Sequence, residues 1–153
     1  MNAQLDPEQA KALAEVAGSC LCRRVRTAAR AVTRFYDRYF VGSGIEPTQF
    51  HLLVGIGLSE PVSLVKLAEH LGLERTTLTR NLKLLEHDGL IQTRRGEDAR
   101  QRLFWLSPRG RGALKKNLPR WKRAQAAAMA ALGKDNFARL TDALSLARRF
   151  TAI

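Results

Sequence analysis

The chain has 153 residues and is 45% hydrophobic, which suffices for a real core and excludes a disordered polypeptide. Lys and Arg number 26 against 14 Asp and Glu, and a net charge of +12 attracts polyanions, ordinarily nucleic acid or an anionic membrane surface. No apolar run approaches the ~20 residues of a membrane span, and Asp6 and Glu8 argue against a signal peptide, so the expected compartment is the cytoplasm.

In chain order, residues 7 to 40 read as one long helix. Pro7 suits its first turn, and Leu13, Val16, Cys20, Leu21, Val25, Ala28, Val32, Phe35 and Tyr39 recur at three- and four-residue steps. A rod of about 34 residues exceeds what one small domain covers, so it is expected to pack on a partner. Gly42-Ser43-Gly44 ends it, and Pro47 opens a second helix over 47–58 that carries Phe50, Leu52, Leu53 and Ile56. Ser63 then caps a short helix, Leu64 to Leu71, whose inner face is Leu64, Leu67, Ala68 and Leu71. Gly72 turns the chain into a helix over 75–87 with Leu78, Leu82 and Leu85 inward, closed by Asp88-Gly89. Two helices joined by a tight glycine turn are the helix-turn-helix pattern.

Next, Ile91-Gln92-Thr93-Arg94-Arg95 alternates as a strand, Gly96 to Arg100 is a charged turn, and Gln101 to Leu106 returns as a second strand. A hairpin in this place is a wing. Ser107-Pro108 caps a basic helix running to about Leu132, with a bend open at Pro119. Gly133 breaks it, and residues 136–150 form a last helix with Phe137, Leu140, Leu144 and Leu146.

The charge falls in blocks. Ten basic residues and no acidic one lie between Ala99 and Lys134, and Arg23, Arg24, Arg26, Arg30, Arg34 and Arg38 form a run broken only by Asp37. A surface built for solubility alone would mix the signs, so these blocks read as a phosphate footprint. The start of the 75–87 helix carries Arg75, Thr76, Thr77, Thr79 and Arg80. In a helix-turn-helix this segment meets base edges, where threonine offers a hydroxyl and a methyl and arginine grips guanine at two points. Its bland reading is a solvated helix start, yet threonine is a poor helix former. In the hairpin, Arg94, Arg95, Arg100 and Arg102 are further candidates, since a narrow minor groove attracts arginine, and Asp98 can fix the turn. The basic run from Arg109 to Arg123 reads equally as a backbone contact or as plain solvated surface.

The set Leu64-Val-Lys-Leu-Ala-Glu-His-Leu-Gly72, Thr76-Thr-Leu-Thr-Arg80, Leu85-Glu86, Gly89-Leu-Ile91, Asp98-Ala-Arg100 and Leu106-Ser-Pro-Arg-Gly110 closely resembles the MarR family of regulators over roughly residues 20 to 150. The resemblance implies a triangular homodimer, made by the first and last two helices, that binds pseudo-palindromic duplex DNA and usually represses transcription. It also implies that Asp98 and Arg100 are the wing's Asp-x-Arg pair, with Arg100 in the minor groove. Ser107 stands where the family usually has threonine, and Glu74 where Asp or Ser commonly caps the recognition helix.

Two cysteines, Cys20 and Cys22, fit a reducing compartment better than a disulfide framework. On a continuous helix their side chains would point about 200° apart, a poor geometry for bonding to each other. Cys22 falls where the hydroperoxide-sensing branch of the family carries its reactive cysteine, and Tyr36 matches a tyrosine that hydrogen-bonds it there. Position 26 is arginine where that branch has a second tyrosine, and an arginine nearby favours thiolate. The opposing reading is inert packing. The alternative input is a small phenolic or aromatic effector held between dimer arm and DNA-binding lobe, near Arg34, Phe35, Phe50 and His51.

The expectation is therefore a mainly α fold with a small β-hairpin wing, a single domain over 1–153. Within it, 1–46 and 108–153 are dimerisation helices and 47–107 the winged helix-turn-helix lobe. No metal set, cofactor motif or catalytic constellation supports an enzyme, since the histidines at 51, 70 and 87 are scattered. The rivals are a thiol peroxidase using Cys22 and an architectural chromosome-binding protein.

Overall fold

The computed structural model describes residues 5–96, 101–147 and Phe150. Its elements are α1 (Pro7–Ser19), α2 (Leu21–Phe40), α3 (Pro47–Ser59), β1 (Val62–Ser63), α4 (Leu64–Leu71), α5 (Arg75–His87), β2 (Ile91–Arg95), β3 (Arg102–Leu106), α6 (Pro108–Leu132) and α7 (Lys134–Leu146). The mainly helical architecture with a small β-hairpin is the one expected. The chain divides into two compact units, Met1–Phe35 and Tyr36–Ile153.

In the first unit, the single helix expected over 7–40 is two. Cys20 stands between α1 and α2 in an extended conformation, φ −60° and ψ 110°. The local sequence accounts for the break. Gly18 is the costliest non-proline residue in a helix, and Ser19 and Cys20 both rank well below alanine. The carbonyls released at the end of α1 find cationic partners: Arg23 donates to Ala17 at 2.5 Å and the Arg24 Nε to Gly18 at 3.2 Å. At the other end Asp6 and Gln9 form a reciprocal capping box. No residue of α1 is buried, and Leu13, Val16, Leu21, Val25 and Val32 are all exposed.

The core belongs to the second unit. Leu53 and Ile56 of α3, Leu67 of α4, and Leu78 and Leu85 of α5 are fully buried, and each such side chain contributes about 1.5–3 kcal/mol relative to exposure. Phe40 meets Phe50 edge to face, with ring centroids 5.4 Å apart. Pro47 starts α3 behind a capping box of Glu46 and Gln49. Ser63 caps α4 by accepting from the Lys66 N–H, as expected. Gly72 takes φ +62°, a left-handed turn that a side chain would strain, and the Leu73 N–H returns to the Ala68 carbonyl at 3.0 Å. This turn sets α4 against α5.

The sheet is antiparallel and three-stranded, in the order β1-β3-β2. β2 and β3 pair from Ile91 with Leu106 to Arg95 with Arg102, and just beyond that last pair the Gly96 N–H donates to the Gln101 carbonyl. β1 was not expected: two residues are too few to show a period, and only the pairing of Val62 with Phe104 reveals the strand. α6 runs through Pro119 without ending, and α7 begins at Lys134, two residues before the expected start. Arg120 of α6 donates to the carbonyls of Tyr39 and Val41 at 3.1 and 3.0 Å, capping the C-terminal end of α2. Among the described residues no helix is long and apolar enough to cross a membrane.

Candidate nucleic-acid interface

α5 has two distinct faces. Leu78, Leu82 and Leu85 point into the core, and Thr76, Thr77 and Arg80, spaced by one, three and four residues, share the exposed side. Arg75 is also exposed in the first turn. Thr79 is placed differently. It is half-buried, and its hydroxyl donates to the Arg75 carbonyl at 2.7 Å, so it serves its own helix. Glu74 precedes the helix without a side-chain capping bond.

In the hairpin, Arg94 and Arg95 are exposed on β2, and the Arg94 guanidinium lies over the Trp105 ring at 5.8 Å. Arg102 is exposed on β3. It pairs with Glu86 of α5 at 3.3 Å and lies 5.9 Å over the Phe104 ring, tying β3 to α5. Asp98 and Arg100 lie outside the described residues.

The root of the hairpin is a clasp. The Ser107 hydroxyl accepts from the Gly110 N–H at 2.9 Å and donates to the Gly89 carbonyl at 2.7 Å. The Ser107 N–H donates to the Leu90 carbonyl at 3.1 Å. A Cβ at Gly110 would lie 2.0 Å from that Leu90 oxygen, so only glycine allows this approach. One serine thus joins the end of α5 to the start of α6, with the wing springing from between them. A second tie escaped the sequence reading. Glu60 accepts from the Leu106 N–H through one carboxylate oxygen at 2.8 Å and holds Arg111 with the other at 2.6 Å. Part of the basic Arg109–Arg123 run is therefore structural, in Arg111 and Arg120.

The candidate sensing residues are distributed between the units. Cys20 and Cys22 lie in the first, with Cys22 exposed. Because Cys20 sits in the break between α1 and α2, the helical geometry that set the two thiols apart does not hold there. Tyr36 donates its hydroxyl to Gln125 of α6 at 2.5 Å, and burial raises its pKa above the usual 10.0. Arg34 and Phe35 are in the first unit, Phe50 and His51 in the second. Phe50 is a core residue, 2% exposed. His51 packs its ring edge-on to Phe50, and desolvation lowers its pKa below the usual 6.5 against the opposing hydrogen bond to Pro47. The unfolded chain then takes up this proton first as pH falls. The stability that neutral His51 contributes is whole above 6.5 and is lost as pH drops toward the lowered value. Urea titrations of His51→Gln between about pH 5 and pH 7 should show a flatter acid limb than the parent. Among the described residues no group of three or more His, Cys, Asp or Glu side chains could hold a metal ion.

Helix-turn-helix, hairpin and clasp together define a winged helix-turn-helix. The MarR family model matches residues 45–101. The crystal structure of the transcriptional regulator MosR from M. tuberculosis is similar at 39% identity in its complex with DNA, covering 85% of this chain and 99% of that one, with a TM-score of 0.71. A second MosR crystal structure aligns at 37% identity and TM-score 0.75, covering 89% and 98%. An uncharacterised HTH-type transcriptional regulator of Bacillus subtilis strain 168, YwoH, is 28% identical over 87 residues; the match spans 57% of this chain and 64% of YwoH, under two thirds of its length. The chain belongs to the MarR family. It is a transcriptional regulator and not an enzyme.

Proposed function

We propose that the protein binds duplex DNA as a homodimer at a pseudo-palindromic site and represses transcription there, acting in the cytoplasm. The observation that carries this reading is the outward Thr76-Thr77-Arg80 face of α5, backed by a buried leucine face and flanked by a wing with exposed Arg94 and Arg95. Such a helix end presents base-reading groups to a major groove while the wing reaches the adjacent minor groove. The 39%-identical MosR was crystallised with DNA, which supports the same role here. Dimerisation through residues 1–46 and 108–153 is supported by exposed apolar side chains on α1, α2 and α7, helices in which Phe40 is the one buried residue. Selection of bound fragments from a genome, followed by competition with random DNA, tests the reading. A regulator should prefer its site by about 10³ or more, whereas an architectural protein would barely discriminate. Arg100→Ala is expected to weaken the selected site by about 1–3 kcal/mol in a gel shift; unchanged affinity would remove Arg100 from the interface.

Two inputs remain in view. The exposure of Cys22 favours thiol oxidation, in which its thiolate attacks an organic hydroperoxide, leaving cysteine sulfenic acid and releasing the alcohol. Hydroperoxide should then abolish DNA binding in the parent and leave Cys22→Ala bound. A phenolic or aromatic effector near Arg34, Phe35, Phe50 and His51 is the other, weakened by Phe50 being occupied in the core.

A further inference from the structure

α6 carries seven cations and no acid over Pro108–Leu132. Two of them serve the fold, Arg111 on Glu60 and Arg120 on the end of α2. Arg109, Lys116, Lys122 and Arg123 are exposed and make no ion pair among the described residues. Arg109, Lys116 and Arg123 recur every seven residues, close to two helical turns, so they form one line about 21 Å long with Lys122 beside it. Between them stand exposed Gly112 and Pro119, whose short outlines leave the line open to a close approach.

The helix resists this arrangement electrostatically. Arg109 sits in the first turn, at the positive end of the helix dipole, with no acid there to offset it, and Lys116 and Arg120 repel at four residues' spacing. A surface built for solubility would mix the signs. A polyanion removes both penalties. An isologous dimer contact does not, since a face of one sign near the symmetry axis meets its own charge; the exposed Met129 and Leu132 further along α6 suit that contact better. A membrane fits poorly too, for the line offers no aliphatic or aromatic side chain to insert. Placement sets the face apart from the base-reading groups. Ser107 fastens the start of α6 to the end of α5, and Arg75 at the reading end lies twelve residues, about 18 Å, further off. The hairpin springs from the same root and reaches away from it. DNA read by α5 and the wing meets their far ends, whereas the α6 line starts at their common root.

We propose that the Arg109, Lys116, Lys122 and Arg123 face holds the phosphate backbone of a second duplex, whatever its sequence, so that one dimer bridges two stretches of DNA. Neighbours on the line are about 10.5 Å apart, against a major groove roughly 12 Å wide, so they can meet phosphates on its two lips. The bridging rests on the DNA reading proposed above; the polyanion face does not.

The test loads the full chain onto a bead-bound selected duplex and measures capture of a fluorescent duplex lacking the site. The parent should capture it, and capture should fall about a hundredfold between about 50 and 200 mM salt if four phosphates are neutralised. The variant Arg109→Gln/Lys116→Gln/Lys122→Gln/Arg123→Gln, changed only at exposed positions, should hold the selected duplex within about twofold and lose capture by about tenfold or more. Lys116→Gln/Lys122→Gln should give an intermediate loss. No capture by the parent, or equal capture by the fourfold variant, overturns the proposal. So does a matching loss of selected-site affinity in that variant, which would put these cations on the first duplex. Poly-glutamate displacing the captured duplex more readily than random DNA does would assign the face to an acidic protein instead. If the protein selects no duplex at all, the site reading falls and anisotropy on random DNA decides the rest. A fall of about tenfold in the fourfold variant then keeps the α6 face, and unchanged affinity overturns it.

Discussion

Gly110→Ala is expected to destabilise the protein by about 3 kcal/mol, while Gly112→Ala, two residues further along the same helix, should be neutral or stabilising by up to about 1 kcal/mol. The contrast comes from surroundings, since both glycines lie in α6 and neither has a positive φ. A Cβ at position 112 meets nothing within 4 Å, whereas one at 110 lies 2.0 Å from the Leu90 carbonyl oxygen. That oxygen belongs to the backbone and already accepts from the Ser107 N–H, so it cannot swing aside like a side chain. Relief requires the start of α6 to move off the end of α5, which stretches both hydrogen bonds of the Ser107 hydroxyl. For a chain of this size the loss amounts to a fall in Tm of about 6–12 °C. Urea unfolding at fixed protein concentration measures it. A Gly110→Ala midpoint equal to that of the parent would mean that Leu90 and Gly110 are not in contact.

Gly110 also shows what could be read from the sequence. Its place after Leu106-Ser-Pro-Arg pointed to the MarR family, but the reason for a glycine there is a carbonyl twenty residues upstream, which no local pattern reveals. Elements with a strong period or a distinct stop signal were legible. α4, Gly72 and α5 sit where leucine spacing and turn chemistry placed them, and Ser107 caps α6 as read. The long first helix was misjudged because apolar spacing continues in phase across Cys20, and periodicity outweighed the poor helix formers Gly18, Ser19 and Cys20. Among site residues, type and position were visible but partners were not. The exposed Arg102 pairing with Glu86 and the Thr79 hydrogen bond to its own helix could not be read from residue type. Glu60, which ties β3 to α6, carried no signal at all, since its two partners lie 46 and 51 residues away.

Arg80→Ala is expected to remove about 1–3 kcal/mol per half-site, hence roughly 2–6 kcal/mol when a dimer carries the change twice. Arg80 shares the exposed face of α5 with Thr76 and Thr77, so its loss removes a proposed base-reading group and not core packing. Specific and random DNA should therefore respond differently. Affinity for the selected site should collapse toward the non-specific level, with the salt dependence of the remaining non-specific binding nearly that of the parent. Arg95→Ala makes the informative counterpart. It stands exposed on β2, and as a proposed phosphate contact its removal should weaken all sequences alike while reducing the salt slope by about 1 for each phosphate it no longer neutralises. Anisotropy titrations of both variants on both DNAs across a salt series separate the two roles. If Arg80→Ala lowers the salt slope and spares sequence preference, α5 lies along the phosphates, and the base-reading assignment of its outer face is wrong.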